Sequence, residues 1–226
     1  VIRLHFVVEG QTEETFVNQI LAPELADQSI VADAHKITTG RKRGTVYRGG
    51  FLAYDHLRND LVLWMKQEGR NAEARFTTMV DLYGLPTDFP GRGTFGQIAD
   101  PLRKAESLES ALADDIGDDR FIPYIQLHEF EALLFSEPDA FSSAFPAAED
   151  EIAKLRMIRT SFDSPEHIDE GADTAPSKRI CKLLPSYAKT SYGLAIAATI
   201  GLARMRSECR HFDHWVEKLL RLPSLI

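Results

Sequence analysis

Apolar residues in this chain fall into short unbroken runs that alternate with longer stretches of helical spacing. The first run occupies residues 1–8 (Val-Ile-Arg-Leu-His-Phe-Val-Val) and stops at Glu9-Gly10. A run of that length, closed by an acid and a glycine, predicts a strand buried on both faces. Residues 12–26 then place Phe16, Ile20, Leu21 and Leu25 at helical spacing. The pattern repeats. Residues 29–38 predict a second strand, and residues 51–67 a helix with Leu57, Leu61, Trp64 and Met65 on one face. Residues 75–80 predict a third strand that runs into Asp81, and residues 98–116 a helix entered through Asp100-Pro101. Residues 121–127 predict a fourth strand, and residues 129–135 a short helix stopped by Glu137-Pro138. Between them, residues 85–96 carry prolines and glycines and read as loop.

Alternation of this kind predicts an α/β fold, a Rossmann-like, mainly parallel sheet of about four strands flanked by helices. The pattern changes after residue 138. Residues 146–175 are polar, acidic and expected to be partly looped. Residues 177–222 read as helices broken near Pro185 and Gly193, with a run rich in small residues at 194–203. The expected organisation is therefore an α/β domain at residues 1–138 and a mostly helical extension packed on it at residues 139–226.

Composition narrows the function classes. Net charge is −8, which argues against wholesale polyanion binding, but the charge is uneven. Residues 1–176 carry a balance of −14 and residues 177–226 a balance of +6. A second basic cluster, Arg41, Lys42, Arg43 and Arg48, sits between Gly40 and Gly50 with no acid in it. Localised basic patches can hold phosphates on an acidic protein. The candidates for that role are these four residues with Lys178 and Arg179. The longest low-charge stretch, residues 191–203, is too short to span a bilayer, so no membrane partner is expected. The first residues lack a basic start followed by a long apolar run, so no signal peptide is expected. Cys181 and Cys209 form no metal-type cluster or disulfide framework, and a reducing cytoplasm is the expected compartment.

The candidate chemistry lies in acids at strand ends. Strand one ends at Glu9, strand three at Asp81, and strand four leads into His128-Glu129-Phe130-Glu131. The carboxyl ends of parallel strands lie on one edge, where open α/β sheets bind ligands. Carboxylates gathered there repel one another unless a cation joins them. Hard oxygen ligands favour Mg²⁺ or Mn²⁺, which activates water and neutralises charge on a phosphodiester. Glu13 lies four residues beyond Glu9 and is a further candidate ligand. Glu14 reads better as a complement to the helix dipole, and His128 as a capping or satisfied histidine. Glu129 and Glu131 can share one point only if the strand continues through 131, because two helical steps turn the direction by about 200°.

Glu9-Gly10-Gln11-Thr12-Glu13-Glu14, followed by Phe16, resembles the first motif of the Toprim domain as found in nucleases of the overcoming-lysogenization-defect (OLD) type. That resemblance implies a Toprim-like fold, with Glu9 as general acid or base and metal ligand. It pairs Glu9 with an Asp-x-Asp motif after strand three. Asp81-Leu82-Tyr83 matches its first aspartate, with Tyr83 at the position of the second, and Glu129 or Glu131 is the expected substitute ligand. The wider set also includes His128 to Leu134, Pro176-Ser177-Lys178-Arg179-Ile180 and Cys209 to Trp215. It is similar over nearly the whole chain to a bacterial family of stand-alone Toprim-like proteins of unknown function. Some members are similar to the nuclease half of ATPase-plus-Toprim pairs linked to phage defence, so an ATPase partner is implied. The expectation is a metal-dependent nuclease with catalytic Glu9 and Asp81, metal ligands Glu9, Glu13, Asp81, Glu129 and Glu131, and a nucleic acid substrate. The alternative is a non-catalytic docking or regulatory subunit of an ATPase.

Overall fold

The computed structural model describes residues 1–42, 45–48, 53–168 and 174–225. These divide into two compact units. The first comprises Val1–Gln126 with Leu219–Ile226, and the second Leu127–Lys218.

The first unit is built on a parallel sheet. β1 (Ile2–Val8) leads into α1 (Gln11–Phe16), which continues through a π turn (Val17–Leu21) into α2 (Ala22–Ala26). β2 (Ile30–Lys36) is followed by a two-stranded antiparallel ribbon of β3 (Thr38–Lys42) and β4 (Thr45–Arg48). Then come α3 (Tyr54–Glu68), β5 (Ala74–Asp81), α4 (Pro101–Ile116), and the short strands β6 (Phe121–Ile122) and β7 (Ile125–Gln126). The sheet order is β2-β1-β5-β6, with β7 also paired to β5, and every pairing in it is parallel. This is the expected α/β architecture, with the fourth strand position filled by two pieces.

Burial follows position in the sheet. β1 and β5 are central, and all but one residue of each are buried, which is why both are rich in apolar and β-branched residues with little alternation. β2 has a single partner strand among the described residues, and its burial alternates along its length. α3 buries Tyr54, Leu57, Leu61 and Met65 as one stripe. α4 starts at Asp100, whose side chain accepts hydrogen bonds from Leu102 N and Arg103 N, and ends at Gly117 in the left-handed region (φ 64°).

The break in the fourth strand has a local cause. Pro123 has no N–H to give to a ladder. The hydroxyls of β5 take over there. Thr77 Oγ1 donates to Ile122 O (2.6 Å), while Thr78 Oγ1 donates to Tyr124 O (2.9 Å) and accepts from Tyr124 N (3.0 Å). Pairing resumes beyond the break, with Asp81 opposite Gln126.

The second unit contains α5 (Glu131–Leu134), α6 (Glu149–Thr160), α7 (Pro176–Leu183), a π turn (Lys189–Gly193), α8 (Leu194–Ile200), α9 (Leu202–Glu208) and α10 (Arg210–Leu220), which ends past the unit's border. α6 lies in the stretch that composition reads as partly looped. Its first turn is wholly acidic and only Ile152 and Leu155 are buried, so its apolar signal is weak. Gly193 does not break the helical run but joins the π turn to α8; the break falls at Gly201 (φ 76°). No described helix is long and apolar enough to cross a membrane.

Candidate functional site

The carboxyl edge of the first sheet assembles around Glu9. Its backbone N–H donates to Met79 O, which fixes the end of β1 against β5. Its side chain reaches across the same pair of strands: Glu9 Oε2 accepts a hydrogen bond from Asp81 N (3.2 Å). The carboxylate also lies against Gly84. A Cβ at that position would sit 3.2 Å from both Glu9 oxygens, closer than ordinary contact, so the missing side chain gives Glu9 its place. Asp81 is the last residue of β5 and is 7% exposed. Glu13, in the first turn of α1, is 3% exposed and folds back so that Oε2 would lie 3.2 Å from a Cβ on Gly10. Glu9, Glu13 and Asp81 thus belong to one edge of one unit. Tyr83 lies on a 3-10 turn (Leu82–Gly84) and is 55% exposed. Glu14 pairs with Lys36 Nζ at the end of β2 (2.8 Å), which adds an ion pair to its place in the first turn of α1.

The described residues of the basic glycine-rich segment belong to the two-stranded ribbon. Ile37 N donates to Val8 O (2.9 Å), and Thr38 N to Asp60 Oδ2 (2.6 Å), so the ribbon starts one residue from Glu9's strand end. Arg41, Lys42 and Arg48 belong to its strands; Arg43 lies outside the described residues.

The acids of the second unit are engaged within that unit. The strand stops at Gln126, and Glu131 opens α5, so Glu129 and Glu131 do not lie on one continuous strand. Glu129 Oε2 accepts from Ser177 N (3.0 Å) in the first turn of α7. Glu131 is 2% exposed, with Lys189 Nζ at 3.4 Å from Oε2 and the Tyr187 hydroxyl at 3.5 Å from Oε1. Burial, with Glu131 beside it, pushes the Tyr187 hydroxyl well above its ordinary range. His128 sits in the left-handed region (φ 61°) with Nε2 at 2.9 Å from Glu166 O, a geometry that requires the proton on Nε2. Lys178 is exposed, whereas Arg179 donates to Thr174 O (2.7 Å) and lies over the Phe162 ring. Cys181 and Cys209 are both free thiols, and burial pushes each of them up.

Three features were not visible as site residues in the sequence. Gly84 reads there only as a turn glycine. Thr78 carries no signal beyond β propensity. Glu166 lies in the polar stretch, yet it is 3% exposed and accepts from both His211 N and Phe212 N (2.9 Å each) at the start of α10.

The donors at the Glu9 edge are carboxylate oxygens, which suit Mg²⁺ or Mn²⁺ in kind. Mg²⁺ is commonly held by one or two carboxylates with water completing its shell, and Glu9 with Asp81 supplies that number. Within neither unit do three or more His, Cys, Asp or Glu side chains among the described residues form a group able to hold a metal ion. What the edge offers such an ion is the kind of donor, not a completed ligand cluster among the described residues.

The model of a family described as Domain of unknown function (DUF4276) matches residues 8–220. No curated protein matches the chain significantly. Among solved structures, the C-terminal region of the Burkholderia pseudomallei OLD protein is 12% identical with a TM-score of 0.48, the alignment covering 97% of each chain. The C-terminal region of the Xanthomonas campestris pv. campestris OLD protein is 14% identical with a TM-score of 0.45, covering 99% of this chain and 97% of that one. The α/β assignment rests on the chain's own strand order and register.

Proposed function

The chain belongs to the DUF4276 family, and from that premise we propose that its first unit is a metal-dependent phosphodiester-cleaving domain of Toprim type. The observation that carries this reading is the clasp at the sheet edge. The carboxylate ending β1 accepts the backbone N–H of the acid ending β5 and rests on a residue with no side chain. A core carboxylate has no need of such a cleared position, and a catalytic one benefits from a fixed geometry. The likeness of residues 9–14 to the first Toprim motif supports the same assignment.

Glu9 and Asp81 are the residues that would hold Mg²⁺ or Mn²⁺, with Glu13 close to Glu9's strand end. The ion supplies an activated water and neutralises charge on the phosphoryl oxygens. Glu9 takes the proton from the attacking water, and its bond to Asp81 N keeps it from turning away. Arg41, Lys42 and Arg48 are the residues of this unit that would contact the phosphate backbone. Purified protein incubated with supercoiled plasmid, single-stranded DNA and RNA, in Mn²⁺ and in Mg²⁺, tests the assignment. Wild type should cleave at least one substrate, and Glu9→Gln should lose that cleavage while keeping its fold. Identical behaviour of the two on every substrate removes Glu9 from catalysis.

A second reading is favoured by Tyr83, which stands exposed where the motif's second aspartate belongs. It makes the chain a non-catalytic docking or regulatory subunit of an ATPase. Calorimetric titration with Mn²⁺ separates the two: absence of binding at millimolar metal supports the subunit, and binding abolished by Asp81→Ala supports the enzyme.

A further inference from the structure

We propose that β2 is a docking edge for a second copy of this chain, and that two copies join as a symmetric dimer through antiparallel β2–β2 pairing centred on Ala34. The proposal stands apart from the phosphodiester-cleaving reading. It starts from the backbone of β2. Ile2 N donates to Ser29 O (3.2 Å) and Ile37 N to Val8 O (2.9 Å), so the odd-numbered residues of β2 turn their amides and carbonyls toward β1. Ala32, Ala34 and Lys36 turn theirs away from the sheet. Among the described residues β1 is the one strand paired with β2, and these outward backbone groups have no partner. A seven-residue strand with such a row of amides and carbonyls is a template for another strand. Neither of two common safeguards is present: Ile30–Lys36 contains no proline, and its register with β1 runs without a bulge.

The side chains identify the occupant. Val31, Asp33 and His35 lie on the face of β2 over which α3 packs, since the Trp64 ring is 4.9 Å from His35 and 4.5 Å from His5, the residue beside Asp33. In a ladder centred on Ala34, Asp33 stands opposite the second copy's His35, and His35 opposite its Asp33. Both are the closer kind of cross-strand pair, without mutual backbone bonds. Asp33 Oδ1 is engaged by His5 Nδ1 (2.7 Å), while Asp33 Oδ2 and the His35 ring have no hydrogen bond among the described residues. Other registers lose this match. Centring on residue 33 sets two acids opposite each other, centring on 35 two histidines, and centring on 32 an acid against Val31; like charges directly opposite are destabilising. The chosen register forms backbone bonds between the two copies of Ala34 and, twice, between Ala32 and Lys36.

Apolar surface flanks the same edge. Val31 and Leu63 are both more than half exposed. Leu63 is an i+3 neighbour of Asp60, whose carboxylate holds Thr38 N just past β2, so it lies on the flank of α3 nearest this edge. A two-fold axis perpendicular to the joined sheet puts both α3 helices on one face and covers these side chains. It also turns the two Glu9 edges toward opposite ends of the sheet, so each chain keeps its own set of site residues.

Sedimentation equilibrium of the full chain over about 1–100 μM tests the dimer. Wild type should reach twice the chain mass. Ala34→Pro removes an N–H that faces away from β1, a place where edge strands accept proline. It deletes the two central hydrogen bonds of the ladder and should raise the dissociation constant at least about thirty-fold. Cross-linking reads the register, in a Cys181→Ser background that removes the exposed thiol. Ala34→Cys should oxidise to a disulfide-linked pair, because each copy faces the other at about 5.5 Å between Cα atoms. Val31→Cys should not, because the same register sets its two copies six residues apart, about 20 Å. Three results each overturn the proposal. One is a single-chain mass for wild type at the top of the range, which leaves the edge to a strand of another protein. The others are an undiminished dimer in Ala34→Pro with Trp64 fluorescence unchanged, and cross-linking at position 31 as fast as at 34. The cysteine variants decide the register whether or not the proline variant folds.

Discussion

Replacing Thr78 by valine tests how the sheet edge is held in place. Thr78 is fully buried, and its hydroxyl both donates to Tyr124 O and accepts from Tyr124 N. Valine is close in shape, so the change removes the hydroxyl and little packing. It removes the acceptor that the Thr78 hydroxyl gives to the buried Tyr124 N–H at the point where Pro123 has already broken the ladder. A buried group that loses its partner costs about 1–3 kcal/mol, so Thr78→Val should destabilise by about 2 kcal/mol. In a chain of this size that is a fall in Tm of about 4–8 °C. Thr78→Ser keeps the hydroxyl and loses one methyl, so it should cost about 1 kcal/mol. Urea unfolding followed by the fluorescence of Trp64, in the same unit, reads both variants, with m expected to stay constant. If valine costs less than about 1 kcal/mol, or serine costs as much as valine, the hydroxyl is not what bridges the break. The consequence reaches the site, since pairing resumes beyond the break at Asp81 and Gln126.

The remaining predictions probe single contacts. Gly84→Ala should destabilise by about 1 kcal/mol by pushing the Glu9 carboxylate aside, and in a Glu9→Ala background the same change should cost nothing; additive costs in that double-mutant cycle would disprove the contact. Glu166→Ala removes an acceptor shared by two N–H groups at the start of α10, and should cost about 3 kcal/mol as read by Trp215 fluorescence; a loss below about 1 kcal/mol contradicts that role. The Arg120 guanidinium beside Asp118 holds its carboxyl below the usual range. A depressed folded value means the stabilisation is complete above the unfolded aspartate value of about 3.9 and is lost as pH falls through the folded value. Asp118→Asn should therefore lower Tm at pH 7 and approach wild type in strong acid; a Tm difference independent of pH would exclude the ion pair as its source.

The sheet was readable because its central strands are buried on both faces, which leaves stretches dominated by apolar and β-branched residues at 2–8 and 74–80. The fourth strand was readable as an element but not as two pieces, because its repair depends on hydroxyls of a strand more than forty residues earlier. α6 was hidden by its acidic first turn and sparse buried residues. The strand ends at Glu9 and Asp81 were legible because a strand-ending acid is a local pattern, and a hydrogen bond from Asp81 N reaches the Glu9 carboxylate. The clearance at Gly84 was not, since a glycine three residues after a strand reads as a turn. Side chains that brace distant backbone leave no periodic trace, and Glu166 shows this most plainly: its partners are backbone amides, so no residue type at positions 211 and 212 could announce it.

This contrast separates the acids by what they do. Glu129 and Glu166 spend their carboxylates on amides at the starts of α7 and α10, and His128 is tied to the backbone of Glu166. The three segments around residues 128–134, 176–180 and 209–215 are thus linked through backbone groups inside one unit. A helix start left without its acceptor costs stability whether or not the protein catalyses anything. Glu9 is placed differently. It accepts the amide of Asp81, the acid that ends the neighbouring strand, and it occupies room that a glycine leaves. Substitutions at Glu129 or Glu166 should therefore act on folding first, with any functional loss following from it. A substitution at Glu9 should leave the fold standing, and its effect on metal or nucleic acid is then a direct reading of the edge.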